Sequence, residues 1–242
     1  MLLSEKYKFI YLKTHKTAST SVELALEQFC APPEHKVILK NKEPSVTEFG
    51  IVGARASMDL KKRKQDPDFF WHHMGATNVV NRIGEEKFFS YSRVTTVRNP
   101  FSRLASLFYF QPTWGKNFPK QSDSLAEAIE LFEKWLFATP HNELFPYGFR
   151  AKSDKYIVFY KEKFVMTDFI RVENLSEDLQ AFAQKHAIAC KGKIELYRER
   201  DNSRIKKFKA HELFHNKKLI ERAQAIDSWI FDLGIYPDHP LA

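Results

Sequence analysis

Several residue patterns are missing from this sequence of 242 residues, and each absence excludes a class of protein. Cysteine occurs only twice, at Cys30 and Cys190, which is too few for a disulfide scaffold or a zinc cluster and indicates reduced thiols. Met1 to Lys8 has no apolar stretch long enough for a signal peptide, and no run of about 18 apolar residues occurs, so neither a signal peptide nor a transmembrane helix is expected. Repeats, low-complexity segments and linker-like breaks are also missing, which predicts a single domain over residues 1–242.

Positive charge and apolar content are what the composition supplies. The formal net charge is +8, which predicts an anionic partner but does not choose among nucleotide, glycan, nucleic acid and membrane surface. A hydrophobic content of 43% with 22 phenylalanines indicates a folded globule. A basic run, Lys61 to Lys64, lies in the irregular region 31–68. We expect a solvated loop there, and a steering patch for an acidic acceptor is the alternative.

The region near the start of the chain combines a strand, a polar loop and a helix. The apolar run from Phe9 to Leu12 has the length and composition of a buried strand. Lysine and hydroxyl residues follow, and from Val22 the apolar spacing becomes helical, with the Ser/Thr cluster starting the helix. This order aims backbone N–H groups and a helix N-terminus at an anion. The stretch is not a Walker loop, because the glycine of that motif is missing. An ordinary helix cap with solvated lysines explains the stretch equally well, because a Ser/Thr run after a strand is often only an N-cap.

A second strand-to-helix junction carries a guanidinium and a hydroxyl. The β-branched run Val94 to Val97 predicts a buried strand that leads directly into Arg98. Asn99 is expected to cap the next helix and Pro100 to occupy its first position. Arg98 at the strand end and Ser106, two helical turns on, have the chemistry to bind a second phosphate. Two such sites would suit a nucleotide phosphorylated on both its 5′ and 3′ sides.

Strands that alternate with helices predict an α/β fold with a largely parallel sheet covered on both faces. The other predicted elements are, in chain order, a helix through Val79 and Ile83 that stops at Gly84, a helix with a capping box at Ser124 to Glu127, strands at Tyr156 to Tyr160 and Phe164 to Val172, a helix from Asn174, and a last helix that carries Leu213 to Leu233 and ends at Gly234.

The two motifs together resemble those of the sulfotransferases that use 3′-phosphoadenosine 5′-phosphosulfate. His15 to Ser21 is similar to that family's 5′-side loop, Pro-Lys-Thr-Gly/Ala-Gly/Ser-Thr-Ser. Arg98 to Ser106 matches its 3′-side motif, Arg-Asn/Asp-Pro-x-x-Arg-x-x-Ser, at every signature position. Three further segments resemble the carbohydrate branch of these sulfotransferases. They are His73 to Ala76, Thr167 to Leu175, and Asn202-Ser203 with the region up to Tyr236.

Two positions depart from the family pattern, and two regions fall outside it. His15 stands where the family usually has proline. Ser19 stands where glycine is frequent, so a positive φ at Ser19 would be strained. Residues 31–68 and 111–155 lie outside the resemblance. The acceptor pocket is expected among residues 31–72 and 111–155.

The resemblance implies a fold and a reaction. The fold is a P-loop-like three-layer α/β arrangement with a central parallel sheet flanked by helices. The reaction transfers a sulfuryl group from 3′-phosphoadenosine 5′-phosphosulfate to an acceptor hydroxyl and leaves adenosine 3′,5′-bisphosphate, with no metal. The expected acceptor is a saccharide hydroxyl, on a neutral or an already anionic chain, and not a nucleic acid. A lipid or a small alcohol is the alternative acceptor. Secretory members of the family carry a membrane anchor that is not found here, so the cytoplasm is the expected location.

The resemblance also implies roles for individual residues. Lys16 would neutralise charge on the leaving 5′-phosphate, which Thr17, Ala18, Ser19, Thr20 and Ser21 would hold. Arg98 and Ser106 would hold the 3′-phosphate, whereas Arg103 is expected in a structural ion pair. His73 is the expected base for the acceptor hydroxyl, with His72 as the alternate.

Two other functions remain open at this point. A P-loop kinase of a small substrate would need a Gly-Lys-Ser/Thr loop and a magnesium-binding carboxylate at a strand end, and neither is apparent. A basic glycan-binding or nucleic-acid-binding module without catalysis would use Lys61 to Lys64 and exposed aromatic residues. Binding of adenosine 3′,5′-bisphosphate would distinguish these functions from the transferase.

Overall fold

The computed structural model describes residues 1–56, 59–110, 122–138, 151–189, 194, 196 and 207–240. The chain divides into two compact units, one made of Met1–Val97 with Tyr156–Glu199 and the other of Arg98–Lys155 with Arg200–Ala242. The single domain expected from the sequence remains a prediction. In the ranges that the structure describes, no helix is both long and apolar enough to cross a membrane. Cys190 and the Asn202-Ser203 segment lie outside those ranges.

The strands are β1 Leu2–Ser4, β2 Phe9–Leu12, β3 Ser45–Thr47, β4 Gly50–Val52, β5 Ser92–Val97, β6 Phe159–Tyr160, β7 Lys163–Phe164 and β8 Asp168–Arg171. The helices are α1 Ser19–Glu27, α2 Leu60–Gln65, α3 Ala76–Ile83, α4 Glu85–Ser90, α5 Pro100–Phe110, α6 Leu125–Leu136, α7 Lys155–Val158, α8 Leu175–Lys185, α9 Ala210–Leu213, α10 Lys217–Ile226 and α11 Ser228–Asp232, and a 3₁₀ turn spans Val172–Asn174.

The first unit is built on a six-stranded sheet in the order β3-β4-β1-β2-β5-β8. Strands β2, β5 and β8 are parallel, with Leu12 opposite Thr95 and Val97 opposite Arg171. Strands β1, β4 and β3 extend the sheet by antiparallel pairing. The predicted α/β class is confirmed as a mixed sheet with a parallel core and flanking helices. The carboxyl ends of β2 and β5 lie side by side at one edge of the parallel part of the sheet.

Burial explains why these runs form the central strands. All four residues of β2 are fully buried, as is typical of a continuous apolar strand in the middle of a sheet. Helices α1 and α8 pack on one face through a shared core that includes Phe9, Val22, Val94 and Phe182. Helix α3 ends at Gly84 as predicted: its φ is +85° and its N–H donates to Val80 O at 2.8 Å.

The strand predicted over Tyr156 to Tyr160 is wrong for most of its length. The structure has the helical turn α7 there, and only Phe159 and Tyr160 are extended, in a short hairpin with β7. Consecutive burial of Ile157 and Val158 favours the turn over the strand that their β-branched side chains suggest. The strand predicted over Phe164 to Val172 is confirmed only in part, because residues 165–167 are not in a strand and separate β7 from β8.

The second unit is helical and has its own core of aromatic and aliphatic side chains, which includes Phe101, Phe108, Phe132, Trp135, Leu213 and Leu219. Helix α5 begins as predicted, since Asn99 Oδ1 accepts a hydrogen bond from Ser102 N at 3.2 Å. The aromatic stripe of α6 lies in this core, as its spacing indicates. Trp135 is fully buried and packs 5.6 Å from Phe132, centroid to centroid.

Two local predictions for this unit are wrong. The capping box at Ser124 does not form, because Ser122 Oγ bonds to the Glu127 carboxylate instead. The predicted final helix is three helices, α9, α10 and α11. Asn216 starts α10 by accepting a hydrogen bond from Leu219 N at 3.0 Å, and Asp227 interrupts the helix because it binds the buried Arg103.

The loop predicted for the basic run Lys61 to Lys64 is also wrong. This run is helical, in α2 of the first unit.

Candidate active site

The loop between β2 and α1 takes an unusual backbone path. Lys16 and Ala18 have φ values of +61° and +51°, in the left-handed region that L-residues rarely adopt. The strain therefore falls on Ala18 and Lys16, not on Ser19. Ala18 is the N-cap of α1 and makes no capping hydrogen bond, while Ser19 Oγ donates to Thr14 O at 2.7 Å. The predicted side-chain cap is wrong, and the first turn of α1 is left open.

Three threonines hold this loop to the neighbouring strand. Thr14 Oγ1 lies 2.6 Å from Thr96 O, and Thr17 Oγ1 lies 2.8 Å from both Thr14 Oγ1 and Thr96 Oγ1. All three residues are buried. The hydroxyl of Thr17 therefore fixes the loop from inside. The N–H group of Thr17 is the part suited to an external anion.

The groups at the start of α1 that face outward have the properties of an anion site. Thr20 and Ser21 are half-buried, and in the described part of the chain their hydroxyls have no hydrogen-bond partner. Ser21 N donates to Ala18 O, whereas helix geometry gives the N–H groups of Ser19 and Thr20 no intrahelical acceptor. Lys16 is half-buried at the same turn. This donor set fits a phosphate.

Lys13, the other lysine of the loop, is committed to an ion pair. It is buried, and its Nζ lies 2.8 Å from Glu23 Oε2. Arg55 pairs with Glu27 at 2.6 Å on the same helix face. Burial by itself would raise the pKa of Glu23, but the nearby charges of Lys13 and Arg55 leave it below its usual value. Lys13 is thus a structural charge, and Lys16 is the lysine suited to a ligand.

His73 is hydrogen-bonded to the same loop. Its Nδ1 lies 2.8 Å from Lys13 O. A carbonyl oxygen only accepts, so Nδ1 carries the proton and Nε2 of the neutral ring holds a lone pair. His73 has a φ of +53° and lies three residues before α3. Burial and the neighbouring His15, Lys13 and His72 lower the pKa of His73 well below 6.5, so the ring is neutral at pH 7.

Two further histidines surround His73. His15 stacks on it with ring centroids 3.8 Å apart and planes within 10°. His72 meets it edge-on at 5.1 Å, and its own Nδ1 lies 3.3 Å from Ala54 O. Burial and Lys13 lower the pKa of His72 to about 4. The ring of Tyr156, which is half exposed, lies 6.4 Å from that of His15.

In the second unit, the predicted 3′-side residues lie around the start of α5. Arg98 directly precedes the cap Asn99 and is half-buried. Ser106 is half-buried on the partly exposed stripe that Ser102 and Phe110 share at a spacing of four residues. No described residue is within hydrogen-bonding distance of the Ser106 hydroxyl. Arg98 and Ser106 are therefore partly accessible and lie outside the buried core of this unit.

Arg103, by contrast, is fully buried in a structural ion pair, and that prediction is confirmed. Its Nε donates to Asp227 Oδ2 at 2.9 Å, and Nη2 donates to the same carboxylate and to Lys152 O. Asp154 lies 3.6 Å from Nη1. Burial opposes the charge of Arg103, but these two carboxylates raise its pKa above the usual value. Arg103 thus stabilises the second unit and takes no part in binding.

Comparison with known protein families gives a match over almost the whole chain. The model of a family described as "Sulfotransferase family" matches residues 1–236. The chain belongs to the sulfotransferase family. It is therefore a transferase of sulfuryl groups that acts on a hydroxyl-bearing acceptor. No curated protein matches the chain.

On this sulfotransferase, α2 lies close to the three histidines in sequence and is held by Trp71. The guanidinium carbons of Arg63 and Arg82 lie 5.3 and 4.9 Å from the centre of the Trp71 ring, and Arg82 Nη2 donates to Arg63 O at 2.6 Å. Lys61 and Lys64 are exposed on this helix. In the described part of the sulfotransferase no group of three or more His, Cys, Asp or Glu side chains could hold a metal ion.

Sequence reasoning missed three features of the site. They are the threonine cluster, the Lys13–Glu23 pair and the stack of His15 on His73. The threonine cluster could have been found from the sequence. Thr14 lies just after β2 and Thr96 lies near the end of β5, and these two strands are adjacent and parallel. The stack had no such signal, since it depends on the positive φ of His73 and on the path of the loop. Much of the expected acceptor region, residues 111–121 and 139–150, lies outside the described residues.

Proposed function

We propose that the chain transfers a sulfuryl group from 3′-phosphoadenosine 5′-phosphosulfate to a saccharide hydroxyl. One observation carries the proposal: the imidazole of His73 is hydrogen-bonded to Lys13 O, on the loop that also carries Lys16. The neutral ring of His73, with a lone pair on Nε2, is thereby bonded to Lys13. Lys16 lies three residues further along the same loop, next to the open N-terminus of α1. A base and an anion site on one loop are what transfer between a phosphosulfate and a hydroxyl requires.

The open first turn of α1 is the proposed site of the 5′-phosphate. The N–H groups of Thr17, Ala18, Ser19 and Thr20 and the hydroxyls of Thr20 and Ser21 are the donors. No acidic side chain lies in the first turn of α1, so nothing there repels an anion. The hydroxyls of Thr17 and Ser19 act inside the loop, and their side chains shape the site without touching the ligand.

Arg98 and Ser106 are the proposed ligands of the 3′-phosphate. The guanidinium offers paired donors, and the hydroxyl on the partly exposed stripe of α5 adds another. This assignment rests on the match of Arg98 to Ser106 to the family motif and on the fact that Arg103, the motif's other arginine, is buried against Asp227.

His73 and Lys16 are the proposed catalytic residues. The acceptor oxygen forms a bond to sulfur as the bond between sulfur and the 5′-phosphate oxygen breaks, and the hydroxyl proton passes to Nε2 of His73. Lys16 stabilises the negative charge that grows on the departing phosphate oxygen. The low pKa of His73 keeps it unprotonated, and ready to accept this proton, throughout the neutral range.

A saccharide is the proposed acceptor, in line with the carbohydrate branch that the sequence resembles. Exposed Lys61 and Lys64 on α2, Tyr156 with half its surface exposed, and the net charge of +8 favour an acceptor that is itself anionic. An exposed aromatic ring and exposed lysines are suited to a charged sugar ring, because the aromatic ring stacks on one face of the sugar and the lysines attract carboxylate or sulfate groups.

The test is a transfer assay with sulfur-labelled donor and a panel of neutral and anionic oligosaccharides, with release of adenosine 3′,5′-bisphosphate as the second readout. We expect labelled saccharide from the wild type. Lys16→Ala should lower kcat about 10²-fold or more and change affinity for the bisphosphate much less. Lys217→Ala, which removes an exposed lysine of α10, is the matched control. Label on no saccharide, or equal losses in kcat and affinity for Lys16→Ala, would contradict the proposal.

A further inference from the structure

His15 lies flat against the proposed catalytic base. The rings of His15 and His73 are 3.8 Å apart, centroid to centroid, and 10° from parallel. Both residues are half-buried. Proline, which the sulfotransferase pattern usually has at the position of His15, offers no flat ring with a titratable nitrogen. The chain therefore has a contact here that its family motif does not explain.

The stack and one hydrogen bond together determine how the His73 ring is held. The bond from Nδ1 to Lys13 O, 2.8 Å long, fixes one edge of the ring. A hydrogen bond alone leaves the ring free to tilt about that edge, because the χ2 torsion of histidine is broad. The face of His15 removes this tilt. His72 contacts the ring edge-on at 5.1 Å and so does not restrict the same movement.

We propose that His15 is a positioning residue, whose ring holds the plane of His73 so that Nε2 presents its lone pair to the acceptor hydroxyl. This inference rests on the proposed function, since it assigns a role relative to the base of that reaction. It adds a residue to the site that makes no contact with the reacting atoms and acts only through His73.

The same arrangement has an electrostatic effect. The groups that face His73 are His15, Lys13 and His72, and Lys13 is itself paired with Glu23 at 2.8 Å. Two parallel imidazoles at 3.8 Å repel each other when both are protonated, so His15 opposes protonation of His73. Tyr156 is the further titratable side chain with a ring contact to His15, at 6.4 Å. Removal of the His15 nitrogens should therefore raise the pH at which His73 titrates.

Two substitutions separate the ring contact from the charge. His15→Phe retains a flat ring and removes the nitrogens, whereas His15→Ala removes the ring. His211→Phe, at an exposed histidine of α9, is the matched control and should behave as the wild type. We expect His15→Ala to lower kcat roughly tenfold or more with the donor KM little changed, because a small misplacement of a base slows the reaction. His15→Phe should recover most of that loss.

The decisive readout is the nuclear magnetic resonance spectrum of the full chain labelled with nitrogen-15 in histidine. We expect the wild type and His15→Phe to show His73 as the tautomer protonated at Nδ1, with a higher titration midpoint in His15→Phe. His15→Ala should show a mixture of tautomers. Unchanged tautomer and midpoint in both variants would overturn the proposal, as would a kcat for His15→Phe as low as that of His15→Ala.

The spectra keep the two proposals separate, because they report the state of the His73 ring whether or not the chain transfers a sulfuryl group. If the wild type transfers no sulfuryl group but the His73 signals of the two His15 variants change as expected, the proposed function is contradicted and the ring arrangement is not. Normal transfer in all variants, with unchanged signals, would contradict the role of His15 and not the proposed function. Circular dichroism of each variant checks that the fold is kept.

Discussion

Three residues of the candidate site, Lys16, Ala18 and His73, share a backbone conformation that is unfavourable for L-amino acids. Their φ values are +61°, +51° and +53°. Such conformations raise the free energy of the folded state by about 1–2 kcal/mol each and persist where surrounding contacts over-determine them. Here the threonine cluster and the bond from His73 to Lys13 O supply those contacts. The strained conformations at Lys16 and Ala18 determine the path of the loop, and the one at His73 allows its imidazole to bond to that loop.

Ala18 offers a direct test of this strain. Ala18→Val places a β-branched side chain at a φ of +51°, and we expect it to lower the free energy of unfolding by about 1–2 kcal/mol and to weaken binding of adenosine 3′,5′-bisphosphate. Ala18→Gly is the matched variant. It should be within about 1 kcal/mol of the wild type and retain binding. Urea denaturation and calorimetric titration measure both effects. Equal stability of the valine and glycine variants would contradict the conformation.

His73 and His72 are adjacent histidines with different surroundings. Substitution of each in turn tests which of the two is the base. His73→Ala should reduce kcat by about 10²-fold or more without loss of bisphosphate binding. His72→Ala should have a smaller effect on kcat, because its Nδ1 is directed to Ala54 O at 3.3 Å, away from the loop. Steady-state kinetics of the two variants give the comparison. The opposite order of effects would transfer the role of base to His72.

At the scale of elements, the first turn of α1 and the start of α5 have opposite designs. Helix α1 has no side-chain cap, and its N-cap Ala18 lies in a left-handed conformation, so its first N–H groups stay open. Helix α5 is capped by Asn99 and anchored by Arg103 in the core of its unit. The open start of α1 is where we propose that the 5′-phosphate binds. The capped start of α5 holds Arg98 and Ser106, the proposed ligands of the 3′-phosphate, on a fixed helix.

The anchor of α5 predicts a large loss of stability. Asp227→Asn leaves the guanidinium of Arg103 buried with only Asp154, 3.6 Å away, as a carboxylate partner. We expect the free energy of unfolding to fall by about 3 kcal/mol. Asp154→Asn is the matched control and should lower it less, because Arg103 keeps its closer bonds to Asp227. Chemical denaturation provides both values. A larger effect of Asp154→Asn would contradict this view of the pair.

At the scale of the whole molecule, the sequence predicted most of the elements near the site. Strand β2, the start of α5 and the stop of α3 at Gly84 are as expected, because local apolar spacing and end residues determine them. The turn at Tyr156 and the broken last helix were not predicted, since tertiary contacts decide them. Burial of Ile157 and Val158 gives a helical turn, and the attraction of Asp227 to Arg103 interrupts a continuous helical pattern.

The candidate site was predictable in part for the same reason. The lysine, hydroxyls and arginine lie in continuous motifs, so their spacing could be read. The sequence did not show which side chains of the motifs bond within the protein and which are left for a ligand. The buried hydroxyl of Thr17 depends on a contact with Thr96, which is distant in sequence. The bond of Ser19 to Thr14 and the pairing of Lys13 with Glu23 are local, but they depend on the path that the loop takes.

The pH dependence of the whole enzyme follows from the pKa of His73. A base whose pKa lies well below 6.5 is unprotonated above that pH and is lost only when the pH falls through its own lower pKa. We therefore expect kcat to stay constant as the pH is lowered from slightly alkaline values through 6.5, and to decline below it. Kinetics in buffers of constant ionic strength, with saturating donor, test this. A decline centred at or above 6.5 would contradict the assignment of a buried, neutral His73 as base.

The central proposal is that the chain binds a nucleotide phosphorylated on both sides, with Lys16 to Ser21 as proposed ligands of the 5′-phosphate and Arg98 and Ser106 as proposed ligands of the 3′-phosphate. Calorimetric titration of the full chain with adenosine 3′,5′-bisphosphate, adenosine 5′-phosphate and adenosine 3′-phosphate tests it most directly. We predict saturable binding of the bisphosphate and at least tenfold weaker binding of either monophosphate, with Arg98→Ala lowering affinity for the bisphosphate to that for adenosine 5′-phosphate. Equal affinity for all three nucleotides, or no binding of the bisphosphate, would contradict the claim.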